Sequence, residues 1–305
     1  MIYFEQMRDT RLSAAFTAFV KESGYTNIFN PSIALANEIL HITFRAESFP
    51  GEKPFRSIYT RVSLSDGGLE FSAAIDLSEL LTDLELPRVA DPKLVQLGSD
   101  IYATFNTGHI PGSQNDIYLM RLWPTQGPAQ RCTLDGRQLV EKNWAFYLDA
   151  KGDLGAIYSL DPLVLLRLTG GDLAGSRSLQ FSNASRQDES GAKGLNIGTQ
   201  LSFSSPNTAF LIAHEKVTLL KWRGYFGRVI RFDFEDGDIR MQIGSKRMSH
   251  SLKKIIFVAK RHNPNLLWAT YFSGLVATDH ELLISYGIND LEFSFAKASL
   301  ETVWT

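Results

Sequence analysis

The sequence predicts an all-β fold, a five-bladed β-propeller with a short N-terminal helix, on three observations. A hairpin-like stretch recurs five times at intervals of about 50 to 75 residues, the kind of spacing that marks a propeller or an array. From Tyr25 onward, apolar and polar residues alternate in short runs bounded by Gly, Pro, Asn and Asp, which is strand patterning. Polar residues also return at the same place in every repeat. A β-sandwich would show many short strands too, but it gives no reason for that recurrence.

Taken in order, the chain opens on MIYFEQMRDTRLSAAFTAFVKESG, where Glu5, Arg8, Asp9 and Arg11 interrupt any apolar region a signal peptide would need. Leu12, Phe16, Phe19 and Val20 fall at i, i+4, i+7 and i+8, so Thr10 to Ser23 is expected as an amphipathic helix stopped by Gly24. Residues 1–26 thus form a helical extension and residues 27–305 the propeller. The five hairpins are Asn30 to Glu47, Ala90 to Gly108, Lys142 to Pro162, Ile197 to Glu215 and Tyr271 to Asp290. Their turns fall at Ala36-Asn37-Glu38, Gly98-Ser99-Asp100, Ala150 to Asp153, Ser205-Pro206-Asn207 and Thr278-Asp279-His280. Segments such as Arg56 to Phe71 and Arg223 to Ile243 are long enough for two further strands, giving four strands per blade. Leu77 to Leu81 reads as a helical turn. Gly170 to Gly194 reads as a long polar loop, and Lys246 to His262 as either a solvated basic edge or a site for phosphate or an acidic sugar.

The 305 residues are 44% hydrophobic and 21% charged, the balance of a globular protein with a full core. A net charge of -2 leaves no global field to recruit polyanions, so nucleic acid is not expected as a partner. The single cysteine, Cys132, excludes an intrachain disulfide and suits a reducing compartment. No stretch approaches the roughly 18 uncharged apolar residues of a membrane helix. A cytoplasmic protein without a membrane span is expected.

A hairpin brings the start of its first strand beside the end of its second. If the hairpins are innermost, their polar ends ring one mouth of the central channel. That ring would hold Asn30, Ser32, Arg45 and Glu47; Asp91, Lys93 and Asn106; Lys142, Asn143, Ser159 and Asp161; Thr199, His214 and Glu215; and Tyr286, Asn289 and Asp290. Carboxylates, bases, amides and aromatic groups in one cavity suit binding and cleavage of a sugar: hydrogen bonds for hydroxyls, a platform for the ring and an acid for the glycosidic oxygen. His214-Glu215 begins like a zinc-protease helix, but Thr218 stands where the second histidine would be, so no metal is expected. Trp144, Trp222 and Trp268 read as packing between blades. No fingerprint of a nucleotide cofactor or nucleophile elbow is present.

At these residues the sequence resembles the five-bladed propellers of glycoside hydrolase family 130, the inverting β-mannoside phosphorylases and hydrolases, and the related enzymes of glycosyltransferase family 108. The residues that carry the resemblance are Asn30-Pro31, Phe44-Arg45-Ala46, Ala90-Asp91-Pro92-Lys93, Lys142-Asn143-Trp144, Phe210 to His214 and Tyr286-Gly287-Ile288-Asn289-Asp290. The resemblance implies that Asp91 is the proton donor, acting through a hydroxyl of the sugar, and that Asn30, Arg45 and Asp290 hold the sugar. Asn106, Asp161 and Tyr286 join them as substrate-binding candidates. Lys142 matches a basic residue close to phosphate, with Lys93 and His214 as helpers. The sequence departs from the family at Ala90 and Lys93, which replace a glutamate and an arginine, and after the second hairpin, where the phosphate-holding arginine is absent. Three readings follow: a phosphorylase or hydrolase of mannoside-type linkages, a transferase using an activated mannosyl donor, and a glycan-binding propeller without chemistry. The partners expected are a carbohydrate and either inorganic phosphate or a nucleotide sugar, with no further cofactor.

Overall fold

The structure is a computed structural model that describes residues 1–49, 52, 55–65, 68–84, 86, 88–108, 112–219, 222–235, 238–256 and 266–304. It is all-β and propeller-like, with sheets that curl. Antiparallel strands follow one another in five meanders. The first is Thr26–Ala36, Ile39–Glu47, Arg56–Ser65 and Gly68–Phe71; the second is Ala90–Leu97, Asp100–Asn106, Ile117–Trp123 and Ala129–Leu134. The third is Ala145–Leu148, Leu154–Leu160, Leu163–Gly170 and Ser178–Gln187; the fourth is Ser202–Ser205, Thr208–Leu219, Trp222–Glu235 and Asp238–Ile243. The fifth has, among the described residues, three strands, Leu266–Ala277, Glu281–Ile288 and Glu292–Ser299. A fourth strand was expected there; instead the N-terminal segment meets its edge, with Arg8 bridging Ala296 and Asp9 N–H donating to the Phe295 carbonyl at 2.9 Å.

Period-two patterning gives each sheet two apolar faces, and each face packs on the next meander. Ile33 and its face-mates join the fifth meander through Val276 and Phe295, whereas the adjacent Ala34 faces Leu94 and Ile101 of the second. Val95 turns the other way, toward Trp144 and Phe146 of the third. Ile157 and Leu165 pack on Leu211 and Ile230 of the fourth, and Ile212 and Val229 on Phe272 and Ile284 of the fifth. Five apolar seams therefore join successive meanders and return to the first. Trp144 is fully buried among Phe146, Tyr158 and Phe181. Trp268 packs on Phe226, and the side chain of Trp222 lies outside the described residues.

The helix spans Thr10–Glu22, with the Asp9 carboxylate capping it by accepting from Leu12 N–H at 2.9 Å. Gly24 follows in the left-handed region at φ +81°, which stops the helix. Phe16 sits edge-on to Phe44 of the first meander and to Phe293 and Phe295 of the fifth, so the helix covers that seam. The expected helical turn is present as Leu77–Leu80, capped by Asp76.

Two segments differ from expectation. Ten residues of the expected loop Gly170 to Gly194 form a strand, Ser178–Gln187, pairing antiparallel with Leu163–Gly170 and parallel with Ala129–Leu134. Leu179 and Phe181 are its buried residues; the polar residues around them occupy the exposed face and hide the alternation. In Lys246 to His262, Met248–Ser249 is a short strand and Leu252–Ile256 a helix. Arg247 there is engaged by Glu215 at 2.9 Å, while Lys260, Arg261 and His262 lie outside the described residues.

The seam between the fifth and first meanders is the one sequence order does not bring together, and Gly274 sits in it. A Cβ at Gly274 would collide with the Ile33 backbone nitrogen and the Ser285 hydroxyl. Gly274→Ala should lower stability by roughly 1–3 kcal/mol, the range for overpacking. Gly175→Ala, with open space around it, should leave the urea midpoint nearly unchanged.

Candidate functional site

The site begins with an irregularity repeated at the start of the inner strands. In the first meander the register jumps from Phe29 opposite Arg45 to Ser32 opposite Thr43; in the second it jumps from Ala90 opposite Asn106 to Lys93 opposite Thr104. The residues in these bulges are Asn30-Pro31 and Asp91-Pro92, with Asn30 at φ +45° and Asp91 at φ +51°. Asn143 precedes the third inner strand at φ +58°. A left-handed residue before proline is disfavoured, and Asn and Asp tolerate it best among residues with a side chain. The bulge re-aims the side chain. Asn30, Asp91 and Asn143 consequently line one cavity of about 830 Å³.

Every meander contributes to that cavity: Asn30 and Arg45 from the first, Asp91 from the second, Lys142, Asn143 and Asp161 from the third, His214 from the fourth, Tyr271 and Asp290 from the fifth. Of the ten residues given a catalytic, sugar-binding or phosphate-binding role from the sequence, seven are thus gathered: Asp91, Asn30, Arg45, Asp161, Asp290, Lys142 and His214. Three do not line it. Asn106 is buried, its amide donating to the Ala90 carbonyl at 3.3 Å and its carbonyl accepting from Gly108 N–H at 2.8 Å. Tyr286 lies in the apolar core against Phe4 and Phe272, its hydroxyl 3.2 Å from His250 Nδ1. Lys93 is 2% exposed, and its ammonium donates to the Gly198 carbonyl.

Arg45 Nη1 donates to Asp91 Oδ1 at 2.6 Å, with the two side chains 19% and 26% exposed. Burial by itself raises the Asp91 carboxyl. The charges of Arg45, Lys142 and Lys93, with the Arg45 hydrogen bond, outweigh it and hold the group below its ordinary value. Asp91 is therefore a carboxylate at neutral pH. The same burial pushes the Lys93 ammonium down to about 7, with Lys142 adding to the shift and Asp91 opposing it. Arg45 also lies over the Phe55 ring at 4.9 Å, while its Nε, like Asn30 Oδ1, is buried with no protein partner among the described residues.

His214 is pushed down to about 3 by burial and then by the Lys93 charge, against the hydrogen bond to the Phe272 carbonyl. Because that carbonyl can only accept, His214 Nε2, 2.9 Å away, carries the proton, and the neutral ring offers no charge to an anion. The cations lining the cavity are instead Arg45, Lys142, Lys216 and Arg223. Lys216 and Arg223 come from the far end of the fourth meander's central hairpin, where Lys216 faces Tyr225 and Arg223 faces Thr218. Glu215 is held by Arg228 at 3.4 Å and Arg247 at 2.5 Å. Glu141, also at the cavity, is saturated: it accepts from Gln138 N–H at 2.7 Å, the Tyr158 hydroxyl at 2.8 Å and Trp144 Nε1 at 2.9 Å.

Sequence reasoning passed over Tyr271, Lys216 and Arg223. Tyr271 opens the fifth hairpin and looks like any core aromatic, yet its ring lies 4.2 Å from that of His214 and it lines the cavity beside Asn143. Burial and the Asp91 charge push the Tyr271 hydroxyl up. Strand alternation from His214 was the available signal for Lys216, two residues on.

No family model and no curated protein matches the chain. Solved structures do, in fold. A glycosyl hydrolase from Bacteroides ovatus is similar at a TM-score of 0.57 and 15% identity, over 90% of this chain and 85% of that one. A GDP-Man-dependent mannosyltransferase from Leishmania mexicana is similar at 0.56 and 12%, over 90% and 85%. A structure from work on GH130 mannoside phosphorylases, a family containing glycoside hydrolases that target β-1,2 mannosidic linkages in Candida mannan, is similar at 0.53 and 14%, again over 90% and 85%. The resemblance carried by the sequence motifs is thus matched by similarity of fold across most of the chain.

The buried histidines fix a sign for stability against pH. His214 and His41, the latter pushed down to about 4 by burial and then Arg61, stay neutral in the fold and protonate when unfolded near 6.5. A lowered folded value means stability is complete above about 6.5 and is lost as pH falls toward 3 to 4. The melting temperature should therefore fall steadily across that window, and less so in His41→Gln. An equal fall in that variant would contradict the assignment for His41.

Proposed function

We propose that this protein is a carbohydrate-active enzyme on a five-bladed β-propeller, acting on mannoside-type linkages, with Asp91 as its catalytic carboxylate. The observation that carries the reading is the Arg45–Asp91 pair in a cavity to which all five meanders contribute. The five seams that return to the first meander support the blade count. The enzymes of similar fold support the substrate class.

Asn30, Arg45 and Asp290 then hold the sugar, with Tyr271 beside them as an apolar wall. Asp161, whose carboxylate accepts from the Ser190 hydroxyl at 3.1 Å, stands at the rim and meets a more distant sugar. Asn106 and Tyr286 act on the site through the backbone and core they support. Anion binding falls to Lys142 with Lys216 and Arg223; inorganic phosphate and the phosphates of a nucleotide sugar are both suitable ligands. In an inverting displacement the protonated form of Asp91 gives its proton to a bonded sugar hydroxyl as that hydroxyl passes its own to the leaving oxygen, so this reading requires bound substrate to put a proton on a carboxyl that is ionised in the free protein. The C1–O bond breaks as the nucleophile arrives from the opposite face.

The ionised state of Asp91 favours a second reading, a transferase in which the carboxylate accepts a proton from an attacking hydroxyl. The two differ in sign. A general acid loses activity as pH rises above its folded value, whereas a proton acceptor loses it as pH falls below.

A screen of β-mannosides with and without phosphate, and of GDP-mannose with oligosaccharide acceptors, tests the proposal. Asp91→Asn should lower turnover by about a hundredfold to ten-thousandfold while sugar binding persists. Equal turnover by the variant would remove Asp91 from the chemistry. Oligosaccharide binding without any turnover would leave a glycan-binding propeller. Lys142→Ala combined with Arg223→Ala should abolish the salt-dependent rise in melting temperature that phosphate or a nucleotide sugar gives. No rise in the parent protein at millimolar ligand would dismiss the anion site.

A further inference from the structure

Lys93 is the one described lysine that is almost wholly buried, and nothing in the proposed chemistry uses it. It stands two residues beyond Asp91, past the bulge, and its ammonium reaches from the second meander to the carbonyl of Gly198 in the fourth. That carbonyl is free for it because of another irregularity: Gly198 N–H and Thr199 N–H both point at the Ile212 carbonyl, each at 3.0 Å, which takes the Gly198 peptide out of the ladder. Only glycine fits there, since a Cβ would strike the Ile212 carbonyl and His214 Nε2. The ammonium also lies 5.6 Å from the centre of the Tyr271 ring, whose other neighbour is His214.

A buried ammonium is costly, and a methionine would fill the same space without that cost. We propose that Lys93 is a positioning residue: it ties the Asp91 turn to the Gly198 bulge across the ring and places a buried positive charge behind the turn that carries Asp91. This rests on the reading of Asp91 as the catalytic carboxylate. The charged and titratable groups facing Lys93 are few. Asp91 stabilises its charge, Lys142 opposes it, His214 is neutral above about 3, and Tyr271 is held un-ionised by burial. As pH rises through about 7 the Lys93 ammonium loses its proton. An alkaline transition at Asp91 near neutral pH is therefore a property of Lys93.

The test follows the Asp91 carboxyl directly, by carbon NMR titration of aspartate-labelled protein, with Asp91→Asn assigning the resonance. In Lys93→Met the Asp91 midpoint should rise, and the inflection near pH 7 should vanish. In Lys93→Arg, which keeps a charge through that range, the midpoint should stay low and the inflection should also vanish. An unmoved midpoint in folded Lys93→Met, or an equal rise in both variants, would overturn the proposal. If Lys93→Met does not fold, Lys93→Gln takes its place, with the amide able to reach the same carbonyl. The titration needs no substrate, so failure to find a sugar reaction would count against the proposed function and leave this result standing. Where a substrate is found, kcat in Lys93→Met should shift its pH profile by the same amount as the titration, with KM little changed.

Discussion

Much of this structure depends on one constraint: the register breaks at the start of the inner strands take backbone carbonyls out of the ladders, so those groups need other partners. The neighbouring meander supplies them. Ser273, at 2.7 Å, and Ser285 both donate to the Pro31 carbonyl, Thr43 to that of Pro92 at 3.3 Å, Asn143 to that of Ile197 at 2.9 Å, and His214 to that of Phe272 at 2.9 Å. Each bond ties one meander to another. Two of the donors, Asn143 and His214, also line the cavity, so joining the meanders and lining the site are partly one problem with one solution.

The electrostatics of the site follow from the same geometry. Crowding Arg45, Lys142 and Lys93 around Asp91 overcomes the desolvation that would otherwise neutralise its carboxyl. Lys93 bears the opposite consequence, because a buried ammonium between a carboxylate and another lysine is poorly stabilised. His214 completes the floor as a neutral donor engaged by the backbone. A sugar entering such a cavity meets a paired carboxylate and guanidinium from Asp91 and Arg45 and further cations from Lys142, Lys216 and Arg223. Preorganised charge of this kind discriminates transition states better than flexible groups can.

The helix and hairpins were legible because their periods, 3.6 and 2, act locally and their turns carry Asn, Gly, Pro and Asp. Asn37 and Glu38, both left-handed, make the first turn, where only the asparagine announces itself. The strand Ser178–Gln187 was hidden because its stability comes from two neighbours far apart in sequence. At the site, Asn30, Asp91 and Asp290 could be found because left-handed or bulged positions select Asn and Asp. Tyr286 and Tyr271 could not be told apart by type: one turns into the core with Phe4, a residue from outside the repeat, and the other lines the cavity. Lys93 and Lys142 differ likewise, through a bulge in the opposing meander that no local pattern reveals.

A crystal of the protein soaked to saturation with mannose tests the central claim most directly. The account predicts one sugar ring in the cavity, hydrogen-bonded to Asp91 and Arg45 and within reach of Asn30 and Asp290. A ring bound elsewhere, or a cavity holding only water with the Arg45–Asp91 pair unchanged, would contradict it.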